Sequence, residues 1–298
     1  LIFDNYEMNF IGQAKNADKI IFNKQSFIVY PDILYTDANF AAPVKISNAN
    51  PQQKDYLWGS VELVNWTSFN GIKLEGLLYK PENFDVSKKY PVIVYFYERN
   101  ADQFNQHWIP SPSRSIINPA IYCSNGYIVF IPDIRYKKGY PGQSAYDCVV
   151  SGTEFISKNN FVDKDHIGIQ GQSWGGYQVA YLVTQTNIYK AAMAGAAVSN
   201  MTSAYGGIRW ESGMSRMFQY EESQSRIGAT LWEKPELYLQ NSPVFYADKV
   251  TTPLLMMNND NDGAVPWYQG IEFFTALRRL NKPVWMLNYN GDAHNLEK

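Results

Sequence analysis

The chain has 298 residues, of which 45% are hydrophobic, and 26 basic against 28 acidic side chains leave a formal charge of −2. That size and composition suit one large α/β domain or two smaller ones with a substantial core. The charge balance lacks the basic footprint of a nucleic-acid or anionic-membrane partner, so neither partner is expected.

Two cysteines, Cys123 and Cys148, stand without a C-x-x-C or interleaved histidines, which argues against a zinc site and against a disulfide-framed fold; whether the two pair is open. No apolar run approaches the roughly 20 residues that span a bilayer, and no basic-then-apolar signal segment opens the chain. The sequence starts at Leu1, as a processed product or an excised fragment would, so the compartment, whether periplasmic, secreted or cytoplasmic, stays open.

Residues 1 to about 57 are rich in Asn, Asp and Pro, read as short strands joined by turns, and are too few to bury a core of their own. They are expected to lean on another body. Residues 27–35 and 61–79 alternate as strands, with Asn70-Gly71 as a hairpin turn. From Tyr90 onward short β-branched runs alternate with longer helical segments, the pattern of a parallel sheet covered by helices on both faces. Strands are predicted at 91–97, 127–131, 167–170, 191–198, 253–257 and 283–289, and helices at 144–158, 177–184 and 267–280. The order is doubly wound. No internal repeat points to a solenoid.

Gly171-Gln172-Ser173-Trp174-Gly175 lies between one of these strands and one of these helices. In that setting G-x-S-x-G is a nucleophile elbow, in which the serine stands on a strained strand-to-helix turn with its hydroxyl above the carboxyl edge of the sheet. Gly171 and Gly175 flank a backbone too tight for a Cβ, and Gly176 leaves room for the helix to pack on the strand.

A serine hydroxyl becomes a nucleophile when an imidazole takes its proton and a carboxylate orients that imidazole. In an α/β-hydrolase the carboxylate follows the serine and the histidine follows both. His107 and His166 precede Ser173, which leaves His294, in the loop after the last strand. The carboxylate belongs to the loop after the penultimate strand, where Asp260 and Asp262 compete. The same Asn- and Asp-rich loop lacks the glutamate of an EF-hand, and neither a metal nor another cofactor is expected.

Assembled, these residues resemble the catalytic domain of the prolyl oligopeptidase family of serine peptidases, particularly its dipeptidyl-peptidase-IV-like and acylaminoacyl-peptidase-like branches. The resemblance runs from about Tyr90 to the end. Gly171 to Tyr177 is similar to the family's G-x-S-x-G-G-Y elbow, and 291–296 to its terminal G-x-x-H loop. Aligned on Val265-Pro266, the family's aspartate motif selects Asp262, although Asn258-Asn259 stands where relatives carry His-Gly. Asp133-Ile134-Arg135 resembles the segment after the second strand, where the family's arginine is structural. Where many relatives carry His-Gly-Gly-Pro, this chain has Tyr97-Glu98-Arg99-Asn100.

The resemblance implies an α/β-hydrolase fold and an acyl-transfer triad of Ser173, Asp262 and His294, with oligopeptides as substrates. It assigns the oxyanion to the backbone N–H of Trp174 and the hydroxyl of Tyr97. It implies a domain at 58–298 and reads 1–57 as the last strands of a β-propeller plus linker, the rest of that propeller being a partner that the chain lacks. Tyr205, Arg209 and Trp210 are candidates for the primary pocket, an aromatic wall favouring proline or another apolar residue and an arginine favouring an acidic one. The alternative for residues 199–226 is a surface excursion. A carboxylesterase would use the same triad, and a silent binding module could keep the fold, but the extended elbow favours a peptidase. The sequence leaves open a homo-oligomer and the choice between exo- and endopeptidase.

Overall fold

The computed structural model describes residues 5–111 and 115–296. Strands β1 (Glu7–Gln13), β2 (Ile20–Ser26), β3 (Val29–Thr36) and the short β4 (Val44–Lys45) form an antiparallel sheet in chain order. This sheet buries little by itself, leaving Phe10, Ile11 and Ile33 exposed, and it meets the rest of the chain through Phe27.

Strands β5 (Ser60–Thr67) and β6 (Lys73–Lys80) form a hairpin whose turn passes through Gly71 at φ +85°, the left-handed conformation that an Asn-Gly turn requires. The hairpin joins β7 (Tyr90–Tyr95), β8 (Ile128–Pro132), β9 (Val162–Gln172) and β10 (Ala191–Gly195) in one sheet. A two-residue ribbon, β11 (Ile208–Arg209) with β12 (Met214–Ser215), stands apart, and β13 (Leu254–Asn259) and β14 (Val284–Tyr289) complete the sheet. Its order is β14-β13-β10-β9-β7-β8-β6-β5, parallel from β8 to β14 and antiparallel at the β6 and β5 edge. This is the α/β-hydrolase fold.

The helices are α1 (Pro119–Ser124), α2 (Pro141–Ala145), α3 (Ser151–Ile156), α4 (Trp174–Gln185), α5 (Met201–Tyr205), α6 (Met217–Glu221), α7 (Pro235–Gln240) and α8 (Tyr268–Arg279). A π-helical turn at Tyr146–Val150 links α2 to α3 without a break, so the helix expected at 144–158 starts three residues early. Because strand side chains alternate between faces, Val92, Val94, Phe130, Ile169, Leu254 and Met256 all point one way. There they pack against Val179 and Leu182 of α4 and Phe273 and Leu277 of α8. Each fully buried side chain of this size contributes roughly 2 kcal/mol, so this layer dominates the core.

On the other face Leu77, Tyr79, Val129 and Ile131 pack against Ala120 and Cys123 of α1 and against Phe27 and Trp58. Further along, Ile93, Met193 and Leu255 line an open groove of about 420 Å³. The cysteines lie in these two separate layers, both free. Burial pushes the Cys123 thiol to about 12 and the Cys148 thiol to about 11, which removes thiolate chemistry at neutral pH. Among the described residues no helix is long and apolar enough to cross a membrane.

Candidate active site

Strand β9 ends at Gln172 and α4 begins at Trp174, so Ser173 is the whole turn between them. Its backbone sits at φ 60°, ψ −117°, a conformation costly for any residue with a Cβ. Ser173 N–H donates to the Gly195 carbonyl at 2.8 Å, and its own carbonyl accepts from Tyr177 at 2.9 Å, which hold the turn from both sides. The flanking glycines are sterically required. A Cβ on Gly171 would stand 2.4 Å from the Gly175 backbone, one on Gly175 2.6 Å from the Phe96 carbonyl, and one on Gly176 2.2 Å from the Gly195 carbonyl.

His294 arrives on the loop after β14, and that loop is docked at several points. Gln172 Nε2 donates to the His294 carbonyl at 2.9 Å, Asn259 Nδ2 donates to the Ala293 carbonyl, and Gly291 N–H donates to Asp260 Oδ1 at 2.7 Å. The histidine is thus carried on backbone tied to the residue before Ser173. Its ring Nδ1 meets Asp262 Oδ2 at 2.7 Å. Asp262 is almost fully buried, and its other oxygen accepts from the N–H groups of Ala264 and Val265, each at 2.8 Å. With Nδ1–H donating to the carboxylate, Nε2 is left with a free lone pair.

Tyr97 follows β7, with its ring edge against Gly175 of the elbow. Its carbonyl accepts from Gln178 Nε2 at 2.7 Å and from the Tyr136 hydroxyl, which itself accepts from the Trp174 indole at 2.9 Å. Burial pushes the Tyr136 phenol far above its ordinary range, which keeps that hydroxyl a neutral donor. Asp133 Oδ1 accepts from the N–H groups of Asn100 and Ala101, fixing the loop after Tyr97. The Tyr97 hydroxyl accepts from Gln224 Nε2 at 2.9 Å. Trp174 opens α4, where helix geometry leaves its N–H without an intrahelical acceptor.

The structure therefore brings Ser173, Trp174, Tyr97, Asp262 and His294 around one end of the sheet. The pocket candidates scatter. Tyr205, 1% exposed, is packed among Tyr220, Trp232 and Tyr238 with its hydroxyl on Glu221 at 2.5 Å, so it is core and not a pocket wall. Trp210 projects into solvent at 70% exposure, while Arg209 reaches Gln219 Oε1 at 3.2 Å. Arg135 is exposed. Two other arginines brace this region: Arg226, whose guanidinium pairs with Glu98 at 2.5 Å and lies over the Tyr136 ring, and the fully buried Arg216, which donates to the Ala264 carbonyl and the Tyr220 hydroxyl. Nothing local in the sequence marks Arg226, since its partner is 128 residues away.

Residues 112–298, more than half of the chain, match the profile of the prolyl oligopeptidase family. The chain belongs to that family. It is 25% identical to dipeptidyl-peptidase 5 of Porphyromonas endodontalis, an alignment covering 97% of this chain and 42% of that protein. It is 26% identical to the human acylamino-acid-releasing enzyme, covering 77% and 32%. Among solved structures, the acylaminoacyl peptidase of Pyrococcus horikoshii superposes with a TM-score of 0.74 at 20% identity, covering 99% of this chain and 46% of that one. A putative dipeptidyl aminopeptidase IV from Bacteroides ovatus gives 0.76 at 22%, covering 98% and 41%. The chain thus spans less than half the length of these relatives.

Proposed function

We propose that this chain is the catalytic portion of a serine peptidase that hydrolyses oligopeptides through an acyl-enzyme intermediate. The observation that carries the proposal is the His294–Asp262 pair at 2.7 Å, held on a loop tied to the residue before a serine in elbow conformation. Ser173 Oγ attacks the scissile carbonyl while His294 Nε2 takes its proton; Asp262 keeps the proton on Nδ1 and stabilises the imidazolium that forms. The Trp174 N–H and the Tyr97 hydroxyl receive the charge that develops on the carbonyl oxygen. His294 then protonates the leaving amine, and water, activated the same way, releases the acyl group. Membership of the prolyl oligopeptidase family supports peptide over ester substrates.

Residues 58–298 form the hydrolase unit, and 1–57, with their solvent-facing Phe10, Ile11 and Ile33, are the end of a β-propeller and its linker. The test uses the full-length protein. Ser173→Ala should lower kcat on a dipeptidyl p-nitroanilide by about a millionfold, the scale of losing a triad nucleophile. The wild type should cleave such anilides as well as p-nitrophenyl esters. Near-normal turnover by the alanine variant would refute the nucleophile, and ester turnover without anilide cleavage would refute the peptidase assignment.

A further inference from the structure

A tyrosine hydroxyl carries one proton, so Tyr97 can serve a developing oxyanion only if that proton is not spent elsewhere. Among the described residues the one hydrogen-bond partner of this hydroxyl is Gln224. A glutamine can present either its carbonyl or its NH₂, and the two ends have opposite consequences. A carbonyl would take the tyrosine proton and leave lone pairs facing the substrate; an NH₂ donates to the phenolic oxygen and leaves the proton free.

The choice is made two residues further on. Gln224 Oε1 accepts from Gln219 Nε2 at 2.7 Å, and Gln219 Oε1 accepts from Arg209 Nη1 at 3.2 Å. A guanidinium has only donors. It therefore forces the Gln219 oxygen toward itself, which turns the Gln219 NH₂ to Gln224, which turns the Gln224 NH₂ to Tyr97. Bonds running head to tail also polarise one another in the same sense. The scaffold is local: Gln219 lies on α6, Arg209 on β11, and the loop carrying Gln224 folds back through Ser225 N–H on the Gln219 carbonyl at 3.0 Å. The Gln224 carbonyl is pinned in turn by Arg226 at 2.7 Å.

We propose that Arg209, Gln219 and Gln224 are positioning residues that direct the Tyr97 hydroxyl proton toward the oxyanion. This rests on the reading of Tyr97 as an oxyanion donor. It also gives the excursion after Ser199 a role in rate.

The test reverses the relay without changing its shape. In the full-length protein, Gln224→Glu replaces the donor by an acceptor of the same size, which captures the tyrosine proton. Gln219→Glu acts one step further away, because Gln224 must then turn its NH₂ to the new carboxylate and its carbonyl to Tyr97. Both should lower kcat, and the rate at which a fluorophosphonate probe labels Ser173, by about a hundredfold, the scale of one oxyanion donor. KM should move little. Gln224→Ala, which lets water approach Tyr97, should be milder than Gln224→Glu; a purely structural residue would give the opposite ranking. Tyr97→Phe should be as slow as Gln224→Glu, and the double variant no slower than Tyr97→Phe alone.

The outcomes separate the two ideas. Tyr97→Phe at wild-type rate would overturn the oxyanion reading and the relay together. A slow Tyr97→Phe beside a fast Gln224→Glu would overturn the relay alone. A double variant slower than Tyr97→Phe would mean that the carboxylate acts directly on the site, which also overturns the relay.

Discussion

Asp260 and Asp262 stand two residues apart on one loop and hold the loop of His294 at two points, its backbone and its imidazole. Asp262 grips the His294 ring at Nδ1, while Asp260 grips the N–H of Gly291, three residues before it. Asp262→Asn should therefore lower kcat by about ten-thousandfold, because an amide holds the wrong tautomer. Asp260→Asn keeps an acceptor for Gly291 and should lose less than tenfold by comparison with a donor-deleting change in the oxyanion site. Steady-state kinetics on a dipeptidyl anilide would check the ranking, and a reversed order would refute the division of labour.

Gln172 is the second anchor of that loop, through its bond to the His294 carbonyl. Gln172→Ala leaves Ser173, Asp262 and the histidine ring chemically intact but frees the backbone that carries the imidazole. Misplacement by about 1 Å can cost about a hundredfold in rate. The expected signature is a fall in kcat beside only a modest drop in melting temperature, the cost of truncating one buried, hydrogen-bonded side chain. A large stability loss with normal kcat in the surviving fold would contradict it.

The elbow glycines make a prediction about folding. A methyl at Gly176 would stand 2.2 Å from the Gly195 carbonyl, and both atoms belong to backbone that cannot move aside without shifting β10 or α4. Gly176→Ala should destabilise by about 3 kcal/mol, the upper end of ordinary overpacking. Gly206→Ala, where nothing lies within 4 Å, is the control. Thermal unfolding of both variants decides the matter, and equal melting temperatures would show that the elbow tolerates the methyl.

What the sequence made legible was short-range or ordered along the chain. The elbow and the Asn70-Gly71 hairpin are local glycine requirements, and His294 followed from order alone. Choosing between Asp260 and Asp262 took a resemblance, because the difference lies in which turn N–H groups cap which carboxylate. The helix after Ser173 starts at Trp174, three residues before its expected start, since two glycines in a row weaken a helical reading until the Phe96 carbonyl beside Gly175 and the Gly195 carbonyl beside Gly176 are known. Strand β9 begins five residues early because Val162 already pairs with Tyr90, and the polar run Asp163 to His166 bulges out between that pair and the next one, Val92 with Ile167. Strand β10 stops at Gly195 because Ala196 turns to φ +43°. Tyr205 shows the general difficulty: an aromatic in a polar excursion looks the same whether it lines a pocket or fills a core. Arg226 and Gln224 were invisible for another reason, since Glu98 and Tyr97, their partners in the site, lie more than a hundred residues away in the chain.

His107 ties the N-terminal sheet to the hydrolase, and its chemistry makes that joint sensitive to pH. Its ring stacks on Trp58 with centroids 4.9 Å apart, meets Tyr30 edge-on at 5.3 Å, and bonds the Phe27 carbonyl at 3.1 Å through Nδ1; Nε2 is buried without a partner. Burial holds its pKa below the ordinary 6.5, against the opposing pull of the Ser26 and Phe27 carbonyls. The folded form thus prefers the neutral ring. A depressed histidine contributes stability that is fully present above the unfolded value and is lost as pH falls through the folded value. The melting temperature should therefore drop as pH is lowered from about 7.5 toward 5, starting near the unfolded value of about 6.5. His107→Gln retains a donor for the Phe27 carbonyl but cannot titrate, so the difference in melting temperature between wild type and variant should shrink as pH falls. A difference that stays constant across that range would mean that His107 stays uncharged, or charges at no cost, in the folded protein.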